Sequence, residues 1–306
     1  MSLVNVFATS RRVSILTDTS LYDATGRIVG FELKCFPVAS WTGALTFRGN
    51  TWGIDAGMLL AERFSSFDGF LAKSGPEFER EHKDALAGGR LLGQTMIEVH
   101  VAGWSEREDR ARAYVLRSPG APGDQAPPYT WVEIEGAWHD DFDLMGLCRL
   151  RRQGAEPDVD WTAETFEPVR HGIPLAEEQR RKGAAAWTEF AGMHVIGGEL
   201  WLTVVDRDEA RQGVIHGWPD VPGEPIQPAP FDESRWPKAV PCGIPWSYEK
   251  FIAAVKAGAI NVETFAVDHS KLAALEATHA RPAVGMSRQE RRAAKARGRK
   301  VPAHAR

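Results

Sequence analysis

The chain has 306 residues, of which 43% are hydrophobic and 25% charged, with a net charge of −4; this is enough apolar material for a large core and places the chain among soluble globular proteins, as one big domain or a domain with an appendage. No run approaches 18 consecutive apolar residues, and the start lacks a basic stretch followed by a long apolar run, which argues against a membrane helix or secretory signal and makes the cytoplasm the expected location. Three scattered cysteines, Cys35, Cys148 and Cys242, argue against both a disulfide framework and a CxxC metal site.

Residues 3–8 and 12–17 are two β-prone runs joined by the polar Ser10, Arg11 and Arg12, and 27–38 (RIVGFELKCFPV) and 43–49 (GALTFRG) read as two further strands. From residue 53 the pattern changes. Ile54, Met58 and Ala61 recur at helical spacing, and 65–89 reads as a second helix or a broken pair, entered through Ser65 or Ser66 and stopped by Gly88 and Gly89. TMIEVHVAGW and RARAYVLRS then form a predicted β-hairpin, and ELWLTVVDRD a later strand. Strands, two helices and strands again predict an α+β fold with layered sheets rather than a βαβ parallel sheet.

Beyond about residue 217 the texture differs. GWPDVPGEPIQPAPFDESRWPKAVPCGIPW is too rich in Pro and Gly for regular structure and too rich in Trp for simple disorder, so an extended arm that wraps over the body is expected, with one more helix at about 247–257. The predicted division is therefore a domain over 1–216, an arm over 217–285 and a tail over 286–306. The tail carries eight Lys or Arg and one Glu, a charge of +7 that leaves −11 on residues 1–285. Such a tail reads either as a solvated terminus or as a segment that contacts nucleic acid through phosphates. Ser287 and Glu290 have the spacing of a capping box.

The first hairpin carries the chemistry. A turn centred near Ser10 and Arg11 pairs residues whose numbers add to about 21, and this sets Ser2 almost opposite Asp18 and Thr19. An initiator methionine is normally trimmed before a small second residue, which would give Ser2 a free α-amine beside its own hydroxyl. With an ordinary pKa near 8, that amine is a serviceable general base at neutral pH. Lys34 stands within FELKCFPV. Taken alone it reads as a solvent-facing residue of an edge strand; paired with Asp18 it reads as a cation that lowers the amine pKa by like-charge repulsion, with Asp18 holding it charged and oriented.

Ser2, Asp18 and Lys34 follow one another at intervals of sixteen residues. This pattern resembles the N-terminal nucleophile (Ntn) hydrolases, and among them the proteasome β-type and bacterial proteasome-like peptidase subunits. VSILTD, LKCFPV, TFRGN, EVHVAGWSEREDRARAYVLRSPG and VIGGELWLTVVDRD resemble successive strands of those subunits, so the likeness covers roughly residues 2–206. It implies a four-layer αββα sandwich and peptide or amide hydrolysis. Ser2 would be the nucleophile with its amine as base, Lys34 and Asp18 would tune them, and Gly49 would give a backbone N–H to the oxyanion hole. No cofactor is implied, and the family's rings suggest a homo-oligomer.

The sequence also departs from that pattern. Ser replaces the usual Thr nucleophile, Ser20 stands where the pattern has Arg, and Met193 and Ile196 occupy the Asp and Ser positions before Gly197 and Gly198. An alternative expectation is therefore a catalytically inactive proteasome-like structural or binding protein, of a kind related to phage proteins, with its basic tail on nucleic acid. His139, Asp140, Asp141 and Asp143 read as a polar loop or an oxygen-rich metal site. No GxSxG, HExxH, P-loop or GxGxxG motif occurs. The eleven tryptophans are scattered rather than interleaved with basic residues, which favours packing over a stacking platform.

Overall fold

Strands β1 (Val4–Ala8) and β2 (Val13–Asp18) form an antiparallel hairpin in the predicted register, from Val4 opposite Thr17 to Ala8 opposite Val13. Its turn is closed by Thr9, whose hydroxyl accepts from the amides of Arg11 and Arg12 at 3.2 and 3.1 Å. All of β2 is buried, so both of its faces are covered. The structure, a computed structural model, describes residues 3–91, 95–121, 126–138, 164–184 and 190–230, with isolated positions at 257, 268, 270, 271 and 274. The chain divides into two compact units, Met1–Phe231 and Asp232–Arg306. In the second unit the Asp268 carboxylate accepts from the amides of Ser270 and Lys271 and from the Ser270 hydroxyl.

The run 27–38 is not one strand. It divides into β4 (Ile28–Phe31), which pairs with the short β3 (Ser20–Tyr22), and β5 (Cys35–Pro37), which joins a different sheet. The break falls where the Glu32 amide donates to the Thr19 carbonyl at 2.8 Å and the Lys34 side chain turns inward, so these residues are held by groups outside any ladder. Next come β6 (Gly43–Gly49), α1 (Trp52–Ala61) and α2 (Phe67–Ala87). The second helix is continuous through Pro76. Ser66 caps its start by accepting from the Gly69 amide at 3.1 Å, as the Ser/Thr/Asp preference at that position predicts.

Strands β7 (Ile97–Ser105) and β8 (Arg110–Arg117) form the predicted hairpin. The short β9 (Val132–Glu133) and β10 (Gly136–Trp138) follow, then a π-helical turn at Pro168–Gly172 that runs into α3 (Ile173–Lys182), and finally β11 (Glu199–Val205) and β12 (Ala210–Gly217). The strands build a five-stranded sheet in the order β10-β1-β2-β11-β12 and another in the order β5-β6-β7-β8-β9, besides the β3-β4 pair. Among the described residues all strand pairings are antiparallel, and the fold is α+β. Among the described residues no helix is long and apolar enough to cross a membrane.

Alternation along the strands distributes apolar side chains into clusters, three of which pack on the two five-stranded sheets. Leu45, Phe47, Ile97, Val99 and Leu116 pack with Leu60 of α1 and Phe67, Phe70 and Phe78 of α2. Neighbouring positions of the same strands, among them Ala44, Ala102, Ala113 and Val115, meet Val4, Val6, Val13, Ile15 and Val205 of the other sheet. The third cluster joins Leu3, Phe7, Leu16 and Leu200 to Leu175 and Ala176 of α3 and to Phe166. Asn5 belongs to the same stripe of β1, and its amide exchanges two 2.8 Å hydrogen bonds with Gln179 of α3.

Candidate functional site

Asp18 ends β2 and is fully buried, which an ionised carboxylate tolerates only when its lone pairs are satisfied. They are, by five donors. Oδ1 accepts from the Leu3 amide at 2.9 Å and from Lys34 Nζ at 2.8 Å, while Oδ2 accepts from the Ser20 hydroxyl at 2.7 Å and from the amides of Ser20 at 3.3 Å and Gly197 at 3.2 Å. Lys34 Nζ also donates to the Ser20 carbonyl at 2.7 Å. Only 4% of Lys34 is exposed, so the solvent-facing reading of that residue taken alone is corrected: its partner, not its neighbours in sequence, decides where it points. Burial holds the Lys34 pKa below its ordinary value, against the opposing pull of the Asp18 and Glu32 carboxylates.

Ser2 lies outside the described residues. Its neighbour Leu3 is fixed by the same Asp18 oxygen that holds Lys34. Gly49 ends β6 with φ +99°, and a Cβ there would lie 2.1 Å from the Met96 carbonyl oxygen, so the position requires glycine. Strand register sets Cys35 opposite Thr46 across β5 and β6, three residues before Gly49. Asp18 and Lys34 are joined directly, by a 2.8 Å ion pair.

Further residues complete this surrounding, and the sequence reading missed their part in it. Ser20, where an Arg was expected from the family pattern, supplies two donors to Asp18 and a carbonyl to Lys34. The amides of Thr19 and Ser20 both donate to the Gly197 carbonyl, at 3.2 and 3.1 Å. Gly198 has φ +77°, and a Cβ there would come within 2.4 Å of the Thr19 hydroxyl. On the turn's other side stands Asp220, from the segment after β12. Its Oδ2 accepts from the Gly198 amide at 2.8 Å, and the carboxylate receives a bidentate pair from Arg180 of α3 at 2.7 and 2.6 Å. Arg180 also donates to the Ile196 carbonyl at 2.6 Å and lies over the Trp218 ring at 5.0 Å. Asp220 follows Gly198 by 22 residues, a separation that gives no sequence signal.

A second buried polar group centres on Glu98 of β7. Its carboxylate accepts from Arg117 at 2.7 Å, His100 at 2.9 Å and Arg48 at 3.3 Å. Although burial raises its pKa, His100, Arg48 and Arg117 together hold the carboxyl well below the usual range. Burial lowers the pKa of His100, with Glu98 opposing and the two arginines assisting. An ionised Glu98 and a neutral His100 donating from Nε2 follow from these directions.

The Cys35 thiol is buried, and this pushes its pKa up to about 12, which removes it as a nucleophile. Among the described residues no group of three or more His, Cys, Asp or Glu is arranged to hold a metal ion. His139, Asp140, Asp141 and Asp143, all but the last residue of the helix expected at about 247–257, Cys148, Cys242 and the basic tail 286–306 lie outside the described residues. No protein-family model matches the chain, and no curated protein matches it.

Proposed function

We propose that this chain is a proteasome-like Ntn hydrolase that cleaves an amide or peptide bond with Ser2. The observation that carries the reading is the convergence of the Leu3 amide and Lys34 Nζ on Asp18 Oδ1, which holds the residue after Ser2 beside a buried lysine. The three apolar clusters support the four-layer αββα arrangement, with α1 and α2 outside one sheet and α3 outside the other.

Cleavage of the bond before Ser2 exposes its α-amine. That amine takes the Oγ proton as Oγ bonds to the substrate carbonyl carbon, and the Gly49 N–H stabilises the oxyanion, an interaction worth about 3 kcal/mol in such sites. Collapse breaks the C–N bond, the leaving amine takes the proton, and water then hydrolyses the acyl-enzyme by the same route. Lys34 lowers the proton affinity of both Ser2 groups through its charge, and Asp18 fixes Lys34 in place.

Intact mass and a β-lactone probe test this on the full chain. The reading requires a free amine at Ser2 and labelling of Ser2 in the native but not the denatured protein. Retention of Met1 without labelling, combined with salt-sensitive nucleic-acid binding that disappears on deleting 286–306, would instead establish a non-catalytic binding protein.

A further inference from the structure

We infer that Asp220, from the segment that follows the last strand, is a positioning residue of the candidate site, acting through the Gly197–Gly198 turn. This rests on the hydrolase reading for its catalytic meaning but not for its geometry.

The turn touches the site directly. Gly197 gives its N–H to Asp18 and its carbonyl to the Thr19 and Ser20 amides, so any displacement of the turn withdraws three hydrogen bonds at once. Having no side chains, Gly197 and Gly198 cannot anchor themselves in a pocket. Their position is set by backbone bonds to residues on the far side. Asp220 Oδ2 takes the Gly198 amide, the Trp218 amide donates to the Gly198 carbonyl at 2.8 Å, and Arg180 takes the Ile196 carbonyl. The contact is close: an ideal Cβ on Gly197 would lie 2.5 Å from Asp220 Oδ2 and 2.9 Å from Arg180 Nη1.

The ion pair itself is nearly dry, with 2% of the Arg180 and 6% of the Asp220 side chain exposed. A buried pair is costly to desolvate and is no better for stability than an apolar pair of similar size. What an apolar pair lacks is an acceptor for the Gly198 amide and a donor for the Ile196 carbonyl. Direction is therefore what the pair adds: charge-assisted hydrogen bonds that fix the turn along its backbone. Residues 223–225 tie the same segment to the body, since the Gly223 amide donates to the Ile28 carbonyl at 2.8 Å and the Ile28 amide to the Glu224 carbonyl at 2.9 Å.

The test uses the full chain with Asp220→Asn, which keeps the shape and removes the charge, and Arg180→Met/Asp220→Leu, which leaves no buried charge unpaired. Two quantities are read: amide hydrogen exchange at Thr19, Ser20 and Gly197 against amides of β7, and the rate of Ser2 acylation by the β-lactone across pH. Expected in both variants is at least about tenfold faster exchange at the three amides with β7 unchanged, and slower acylation with a displaced pH midpoint. Exchange at those amides within about twofold of the parent, in either folded variant, overturns the inference, since an interaction worth a factor of ten in exchange would be missing. Failure of the parent chain to be acylated overturns the hydrolase reading instead, and the exchange data then decide the clamp alone.

Discussion

Leu3 and Lys34 share a single acceptor: the Leu3 amide at 2.9 Å and the Lys34 ammonium at 2.8 Å both donate to Oδ1 of Asp18. Backbone and side-chain cation are thereby held together at one carboxylate oxygen, with less than 5% of either charged residue exposed.

Because both charges are buried, removing one is worse than removing both. Asp18→Asn leaves Lys34 as an uncompensated internal cation and is expected to lower unfolding stability by about 3–5 kcal/mol. Asp18→Asn combined with Lys34→Met, a replacement of similar volume, should recover a large part of that loss. Urea denaturation of the single and double variants measures the difference, and a double variant no more stable than Asp18→Asn refutes the argument.

Lysine titration gives an independent check. Burial lowers the Lys34 pKa from an ordinary 10.5, and Asp18 raises it in opposition. NMR of 13Cε-labelled lysines should therefore find one midpoint below the others in the parent chain. In Asp18→Asn the same resonance should titrate lower still; an upward move would mean that Asp18 does not support the charged form.

His100 sets a pH window for stability. Its folded pKa lies below the ordinary 6.5, so the unfolded chain binds the proton more readily. Its contribution is thus fully present above about pH 6.5 and lost as pH falls below that value, with a slope of up to about 1.4 kcal/mol per pH unit. Glu98, Arg48, Arg117 and Trp138 are the groups that face it. Thermal unfolding of the parent and of His100→Gln between pH 7 and 5 should show a steeper decline in the parent; equal slopes would exclude His100 as the cause.

Gly49→Ala combines a left-handed backbone with a collision against the Met96 carbonyl. A loss of about 1–3 kcal/mol is expected from the strained conformation. β-Lactone acylation of Ser2 should fall more than stability does, since the N–H assigned to the oxyanion moves with the strand end. Acylation at the parent rate in a folded Gly49→Ala would remove Gly49 from the proposed mechanism.

Much of the architecture is written in local pattern. The β1-β2 register follows from where Ser10 and Arg11 turn the chain, and α2 from an apolar spacing that begins at the Ser66 cap. Helix α3 escapes such reading because Glu178, Gln179 and Arg180 are buried in it, so polarity does not mark its exposed face. β9 and β10, of two and three residues, are too short to carry an alternation, and β12 is half-exposed along its length. Within the site, Asp18 and Lys34 were recoverable from spacing and proved to be bonded. The Asp220 carboxylate was not, since only the folded chain brings it to Gly198.

The hydrogen bond between Asp18 and the Gly197 amide spans 179 residues, and the clamp on that turn draws on residue 220. During synthesis the chain emerges from its N-terminus, and a contact so distant forms late. The first hairpin and Lys34 are available early, yet β2 lacks its β11 neighbour, and Asp18 its last donor, until two thirds of the chain has been made. The full set of donors around Asp18 therefore assembles only after the Gly197–Gly198 turn and β11 have been made.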